Sequence, residues 1–161
     1  MNERRVDDRD EAVRNRRNVE SKVRPMLITA TNMIKVKQLL DFAKRFLTRN
    51  HDHLRVLEEE LECAEVVSPE TIPPDVITIN TQALIHDLGV GRQTVYALVL
   101  PRDADVAKNK ISVLSPVGTV LLGYRVGDLI ECVAPAAMKR LRVKQIVYQP
   151  EAARNAGSGL W

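Results

Sequence analysis

The apolar residues of this chain change their spacing once, and the change falls on a proline-rich break. Before Ser68-Pro69-Glu70 and Pro73-Pro74 they recur every three or four positions; after it they alternate. A period near 3.6 lays apolar side chains along one helical stripe, and a period of two lays them on one face of a strand. Proline cannot continue a helix and biases the residue before it towards extended backbone. A helical part followed by a β-rich part, an α+β architecture, is the expected outcome.

In the helical part, order is expected from Pro25. Met26, Leu27 and Ile28 form a short apolar stub, and Thr29 or Thr31 offers a hydroxyl to cap a helix. Met33, Val36, Leu40, Ala43 and Leu47 make a stripe, widened by Leu39 and Phe46. The polar run Arg49-Asn50-His51-Asp52-His53 interrupts it. A second stripe follows at Leu54, Leu57, Leu61 and Ala64, with Glu58, Glu59, Glu60 and Glu62 off it. Two such helices joined by a few polar residues pack antiparallel. Residues 25–67 are thus expected to form a short coiled-coil hairpin with Asn50, His51, Asp52 and His53 at its tip. About 16 residues per helix would give an arm of roughly 24 Å at the helical rise.

The β-rich part spans 68–153. Val76, Thr78 and Asn80 alternate with Ile77 and Ile79, and further strands are expected at 94–100, 111–114, 129–133 and 141–148. One segment stands apart. Ser115 at a cap position, Pro116 at the first helical position and Gly123 just past the end punctuate one short helix. Residues 1–24 interleave Arg with Asp and Glu and carry too little apolar surface to offset the entropy of ordering, so a disordered tail is expected there. Residues 154–161 are expected to form a flexible C-terminus.

Composition narrows the function classes. Aromatics make up only 4% of the chain, so the core must be aliphatic. The formal charge of +3 is spread among acidic residues rather than gathered with aromatics on one face, which argues against nucleic-acid binding as the primary role. Cys63 and Cys132 form no CxxC pair, and no apolar run approaches the roughly 20 residues that span a bilayer. A cytoplasmic, non-membrane protein with reduced thiols is expected.

The polar clusters are chemically modest. His51 and His53, two positions apart, do not converge on one ion, and zinc needs three or four protein ligands. No metal or other cofactor is expected. Nothing pairs a nucleophile with a base, and Gly89-Val90-Gly91 is too short to cradle phosphate. A non-enzyme is the reading. Lys139, Arg140, Arg142 and Lys144 form the densest basic patch, with Arg140, Arg142 and Lys144 on one face of a strand. It reads either as a charged sheet edge or as a contact for an acidic surface.

Ile111-Ser112-Val113-Leu114-Ser115-Pro116-Val117-Gly118, with Leu121-Leu122-Gly123 and Val126-Gly127-Asp128, resembles the hallmark stretch of the Gre/Rnk family of RNA polymerase-binding factors. Tyr148-Gln149-Pro150-Glu151-Ala152-Ala153, and Ser68-Pro69-Glu70 with Pro73, Asp75-Val76, Thr78 and Asn80, narrow the similarity to the Rnk branch, named for regulation of nucleoside diphosphate kinase. The resemblance covers about Pro25 to Ala153. It implies an FKBP-like domain over 68–153 that docks at the rim of the polymerase secondary channel, with the hairpin pointing inward. It also implies a polymerase contact at Ser115, Pro116, Val117 and Gly118. The Gre pattern has Asp or Asn just before the Ser-Pro, where this chain has Leu114.

Gre factors stimulate transcript cleavage with a DxxE carboxylate pair at the hairpin tip, which helps hold a second Mg²⁺. Here Asp52 stands with Arg55 three residues on. The resemblance therefore implies a regulator that competes with Gre-type factors without stimulating cleavage. An adaptor acting through nucleoside diphosphate kinase is the alternative. An FKBP-like fold also raises prolyl isomerase activity, but that pocket needs several aromatic walls, and 68–150 holds only Tyr96, Tyr124 and Tyr148.

Overall fold

A computed structural model describes residues 25–46, 52–133 and 138–159. A strand β1 (Leu27–Thr29) leads into helices α1 (Ala30–Phe46) and α2 (Asp52–Glu62), and a strand β2 (Glu65–Val67) follows. Next come β3 (Gln82–Asp87), β4 (Arg92–Val99), β5 (Lys110–Ser112), helix α3 (Pro116–Leu121), β6 (Leu129–Val133), β7 (Met138–Tyr148) and helix α4 (Pro150–Gly159). The main sheet runs β5-β4-β3-β7-β6. The β4/β5 pair is parallel and the other neighbours are antiparallel. The α+β class, with a helical hairpin before a β-rich domain, is the observed one.

Local chemistry explains the helical starts. The Asn32 N–H donates to Thr29 Oγ1 at 3.3 Å, so Thr29 rather than Thr31 caps α1. Val36, Leu40 and Ala43 of α1, with Leu54, Leu57 and Leu61 of α2, are buried as the stripe spacing requires. Lys44 of α1 hydrogen-bonds Glu58 of α2 across the hairpin, and that bond holds the Lys44 ammonium above its ordinary pKa of 10.5.

The hairpin is not a free arm along its length. Its buried leucines belong to the same core as Ile85, Leu98, Val113, Ile130 and Val143 of the β-rich part. Helices this short are marginal alone in water, and burial of one face against a sheet is what holds them. Helix α2 is 11 residues long, shorter than the sequence spacing suggests. The chain leaves it at Cys63 and Ala64 to form β2, which pairs in parallel with β1 at the hairpin base.

Three other expectations need correction. Phe46 does not widen the buried stripe: it is 65% exposed and its ring lies 4.6 Å from that of Phe42. Residues 76–80 form no continuous strand: turn bonds from Val76 N–H to Pro73 and from Thr81 N–H to Thr78 close each end, Asn80 takes φ of 69°, and only Val76 makes a bridge, to Arg125, while 76–79 are all buried. The C-terminal segment is helical through Gly159 rather than flexible from 154. Gln149 caps it, accepting from Ala152 N–H at 3.1 Å, while its Nε2 donates to the Pro73 and Val76 carbonyls at 2.8 Å each. Asn155 Nδ2 donates to the Pro69 carbonyl, and Thr78 Oγ1 donates to buried Glu151 at 2.7 Å. These bonds anchor α4 to the segment that follows the hairpin. Asn50, His51, Leu47 and the 1–24 tail lie outside the described residues.

Candidate functional site

The family-like stretch folds into a tight corner between β5 and α3. The Ser112 carbonyl receives both the Ser115 N–H and, at 2.7 Å, the Ser115 hydroxyl. Ser115 Oγ in turn accepts the Gly118 N–H at 3.0 Å, which is an N-cap bond. The Leu114 N–H is satisfied by Ser112 Oγ at 3.1 Å. Gly118 passes so close to the preceding strand that a Cβ there would lie 1.8 Å from the Ser112 carbonyl oxygen.

This geometry divides the four residues by task. Ser115 and Gly118 are spent on building the corner, one through its hydroxyl and the other through its missing side chain. Pro116 and Val117 remain half-buried, with part of each surface available to a partner. Pro116 suits the first helical position because it has no N–H to leave unpaired. Its carbonyl accepts Thr119 Oγ1 at 3.0 Å and lies 3.5 Å from Cys132 Sγ.

The hairpin reaches this corner. His53, in the first turn of α2, donates from Nε2 to the Leu114 carbonyl at 3.0 Å. Of the tip residues, Asp52 is exposed on the same turn, while His53 is thus turned towards the domain. Leu114 itself packs against the core, which suits a leucine there better than a charged side chain.

The basic patch is split by the strand pleat. β7 lies between β3 and β6, so the patch is on an interior strand and not on a sheet edge. Arg140 faces Glu131 across the β6 pairing, with 3.7 Å between them. Arg142 Nη1 donates to the Gly127 carbonyl at 2.8 Å, and Lys144 is exposed. Lys139 pairs with Cys132 and shares its face, the opposite one, beneath which Pro116 approaches. Lys139 is the patch member that flanks the α3 corner. Strand alternation already sets Lys139 apart from Arg140, Arg142 and Lys144 in the sequence; the His53 to Leu114 contact, 61 residues apart, left no local signal.

Chemically the corner offers an apolar knuckle beside an exposed cation. Among the described residues no group of three or more His, Cys, Asp and Glu is placed to hold a metal ion. Among them, too, no helix is long and apolar enough to cross a membrane. The cap can be tested apart from any contact. Ser115→Ala is expected to cost about 1 kcal/mol, or roughly 3 °C in melting temperature for a chain of this size. Ser115→Thr, whose hydroxyl can both accept from Gly118 and donate to the Ser112 carbonyl, is expected to restore most of it in the same thermal scan.

Comparison with known proteins finds the same stretch. The family described as "Transcription elongation factor, GreA/GreB, C-term" matches residues 72–148. A curated relative from Escherichia coli (strain K12), "Regulator of nucleoside diphosphate kinase", is 41% identical over 98 residues, covering 60% of this chain and 72% of that protein. A "Transcription elongation factor GreA" from Syntrophus aciditrophicus is 32% identical over 100 residues, 62% of each chain. Among solved structures, a "Prokaryotic transcription elongation factor GreA/GreB from Nitrosomonas europaea" superposes with a TM-score of 0.65 at 34% identity. It covers 78% of this chain and 99% of that one.

Proposed function

The chain belongs to the GreA/GreB family of transcription elongation factors, within which it is similar to the regulator of nucleoside diphosphate kinase, and from that premise we propose that it binds RNA polymerase. It docks at the rim of the secondary channel through the α3 corner, with Pro116 and Val117 as the apolar contact and Lys139 as the flanking cation. The observation that carries this reading is the corner itself. The family stretch is held by Ser115 and Gly118, which leaves Pro116 and Val117 half-buried, Val117 packing in part against the core and each keeping some surface for a partner.

The same protein does not stimulate transcript cleavage. Asp52 is exposed at the start of α2, but the position three residues on is the cation Arg55, so no carboxylate pair is available there. At about 1.5 Å per residue, α1 reaches only roughly 25 Å. Occupancy is then the mechanism: the protein binds at the channel entrance, excludes Gre-type factors and leaves the catalytic centre untouched. Its site of action is the cytoplasm.

The test is binding of the full chain to core RNA polymerase, with a Gre factor as competitor and a Pro116→Glu variant alongside. Glutamate is well tolerated in a first helical turn, so the corner survives while its apolar knuckle becomes charged. Saturable binding that the competitor displaces and the variant weakens at least tenfold is the expected result. Equal binding by the variant would remove the α3 corner from the interface. No binding at micromolar concentration would sink the polymerase reading. It would favour a second one, motivated by the name of the Escherichia coli relative: an adaptor acting on nucleoside diphosphate kinase.

A further inference from the structure

The chain contains two phenylalanines, and neither is in the core. Phe42 is 61% exposed and Phe46 is 65% exposed, on the side of α1 turned away from Val36, Leu40 and Ala43. Their rings sit 4.6 Å apart and tilted by 37°, one helical turn from each other. Ile34, 58% exposed, lies two turns nearer the start of the helix, with the exposed Gln38 between it and Phe42. A core short of aromatics would gain more from these rings than any other side chains present, yet both are placed in water. Adjoining exposed aromatic rings of this kind mark interaction sites.

Charge limits what can cover the strip. Lys35 and Arg45 are exposed beside it, and Lys37 and Lys44 lie further round the same helix. Asp41 is the one acidic residue of α1, and the Lys44 cation is already paired with Glu58. A covering surface must therefore offer an apolar floor and carboxylates along its edge. Size also limits the choice. Two rings and an isoleucine at these exposures present on the order of 300 Å², well short of the roughly 800 Å² per partner of a stable standard-size interface. A dimer held by this strip alone is too small, and a surface of this size suits a second anchor for a partner that docks elsewhere as well.

We infer that Phe42 and Phe46, flanked by Lys35 and Arg45, anchor the hairpin in an acid-edged apolar groove of the protein that also receives the α3 corner. This rests on the polymerase reading above and adds to it a second, separate point of contact. The cations orient the helix as it approaches, and ring burial slows its release.

The test uses the full chain with Phe42→Ser and Phe46→Ser combined, and separately Lys35→Glu with Arg45→Glu. Both pairs face solvent, and circular dichroism and thermal melting confirm that each variant folds. Binding to core RNA polymerase is then measured beside wild type and Pro116→Glu, with sedimentation of each protein alone. The expected result is at least a tenfold loss of affinity for the serine variant and a fivefold or greater loss for the charge reversal, whose association also slows. Wild-type binding matched within twofold by the serine variant would overturn the anchor while leaving the α3 corner in place. Self-association of the wild type, abolished by the serines, would overturn it in favour of a second copy of this chain. Failure of the wild type to bind would remove the polymerase reading and the anchor together.

Discussion

Gly118→Ala is expected to lower the melting temperature by roughly 10 °C, from a cost of about 3 kcal/mol. The added methyl would be 1.8 Å from the Ser112 carbonyl oxygen and 2.8 Å from its carbon, both backbone atoms. That carbonyl is fixed by the two bonds it accepts from Ser115, so it cannot swing away without breaking the corner. The damage should also reach the proposed polymerase contact, because Pro116 and Val117 sit on the displaced turn. Gly89→Ala is the control: a Cβ there meets only the flexible carboxylate of Asp87, at 3.3 Å. A Gly118→Ala shift as small as that of the control would mean that α3 can slide outward. The reading of the corner as rigid would then fail.

Leu57→Ala should be similarly severe and more informative about organisation. Leu57 is fully buried, and truncating such a leucine costs about 3 kcal/mol. It lies on the hairpin, yet its core is shared with the sheet. Helical signal and the near-ultraviolet signal of Tyr96 and Tyr124 are therefore expected to melt together, at a midpoint lowered by roughly 10 °C. If the hairpin were an independent unit, the variant would instead melt in two steps, with the tyrosine signal staying at the wild-type midpoint.

What the sequence disclosed depended on whether the information was local. The α3 helix was legible because its start and stop are written in Ser115, Pro116 and Gly123. Gly123 takes φ of 85°, which a glycine adopts freely. The buried stripes of α1 and α2 were legible because Val36, Leu40, Leu54, Leu57 and Leu61 keep helical spacing. Phe46 misled because apolarity alone does not say that a residue turns inward. Thr78 misled in the opposite sense, and its partner is Thr81. Their hydroxyls bond each other at 2.9 Å inside the protein, so polar alternation in 76–80 did not mark an exposed face.

The candidate site divided along the same line. The corner could be found from its motif, but the different tasks of Ser115 and Pro116 appear only in the hydrogen bonds. The pleat that sets Lys139 apart from Arg140, Arg142 and Lys144 could be read from alternation, but its place opposite Cys132 needed the strand register. The helix α4 was hidden by its Gly-Ser ending and by an uncommon cap, Gln149, whose other bonds reach 73 and 76 residues back along the chain.

Those bonds impose an order on synthesis. The Pro73 and Val76 carbonyls and the Thr78 hydroxyl emerge from the ribosome long before Gln149 and Glu151 exist. At bacterial-scale elongation rates of about 5–20 residues per second, the wait is on the order of ten seconds. Throughout it, the linker between hairpin and sheet has no partner for these groups except water. The nascent chain can collapse around its aliphatic core, but it is sealed only after its last helix has been made. A polypeptide stalled or clipped before Gln149 should consequently be a substrate for chaperones and proteases rather than a smaller working version of the protein.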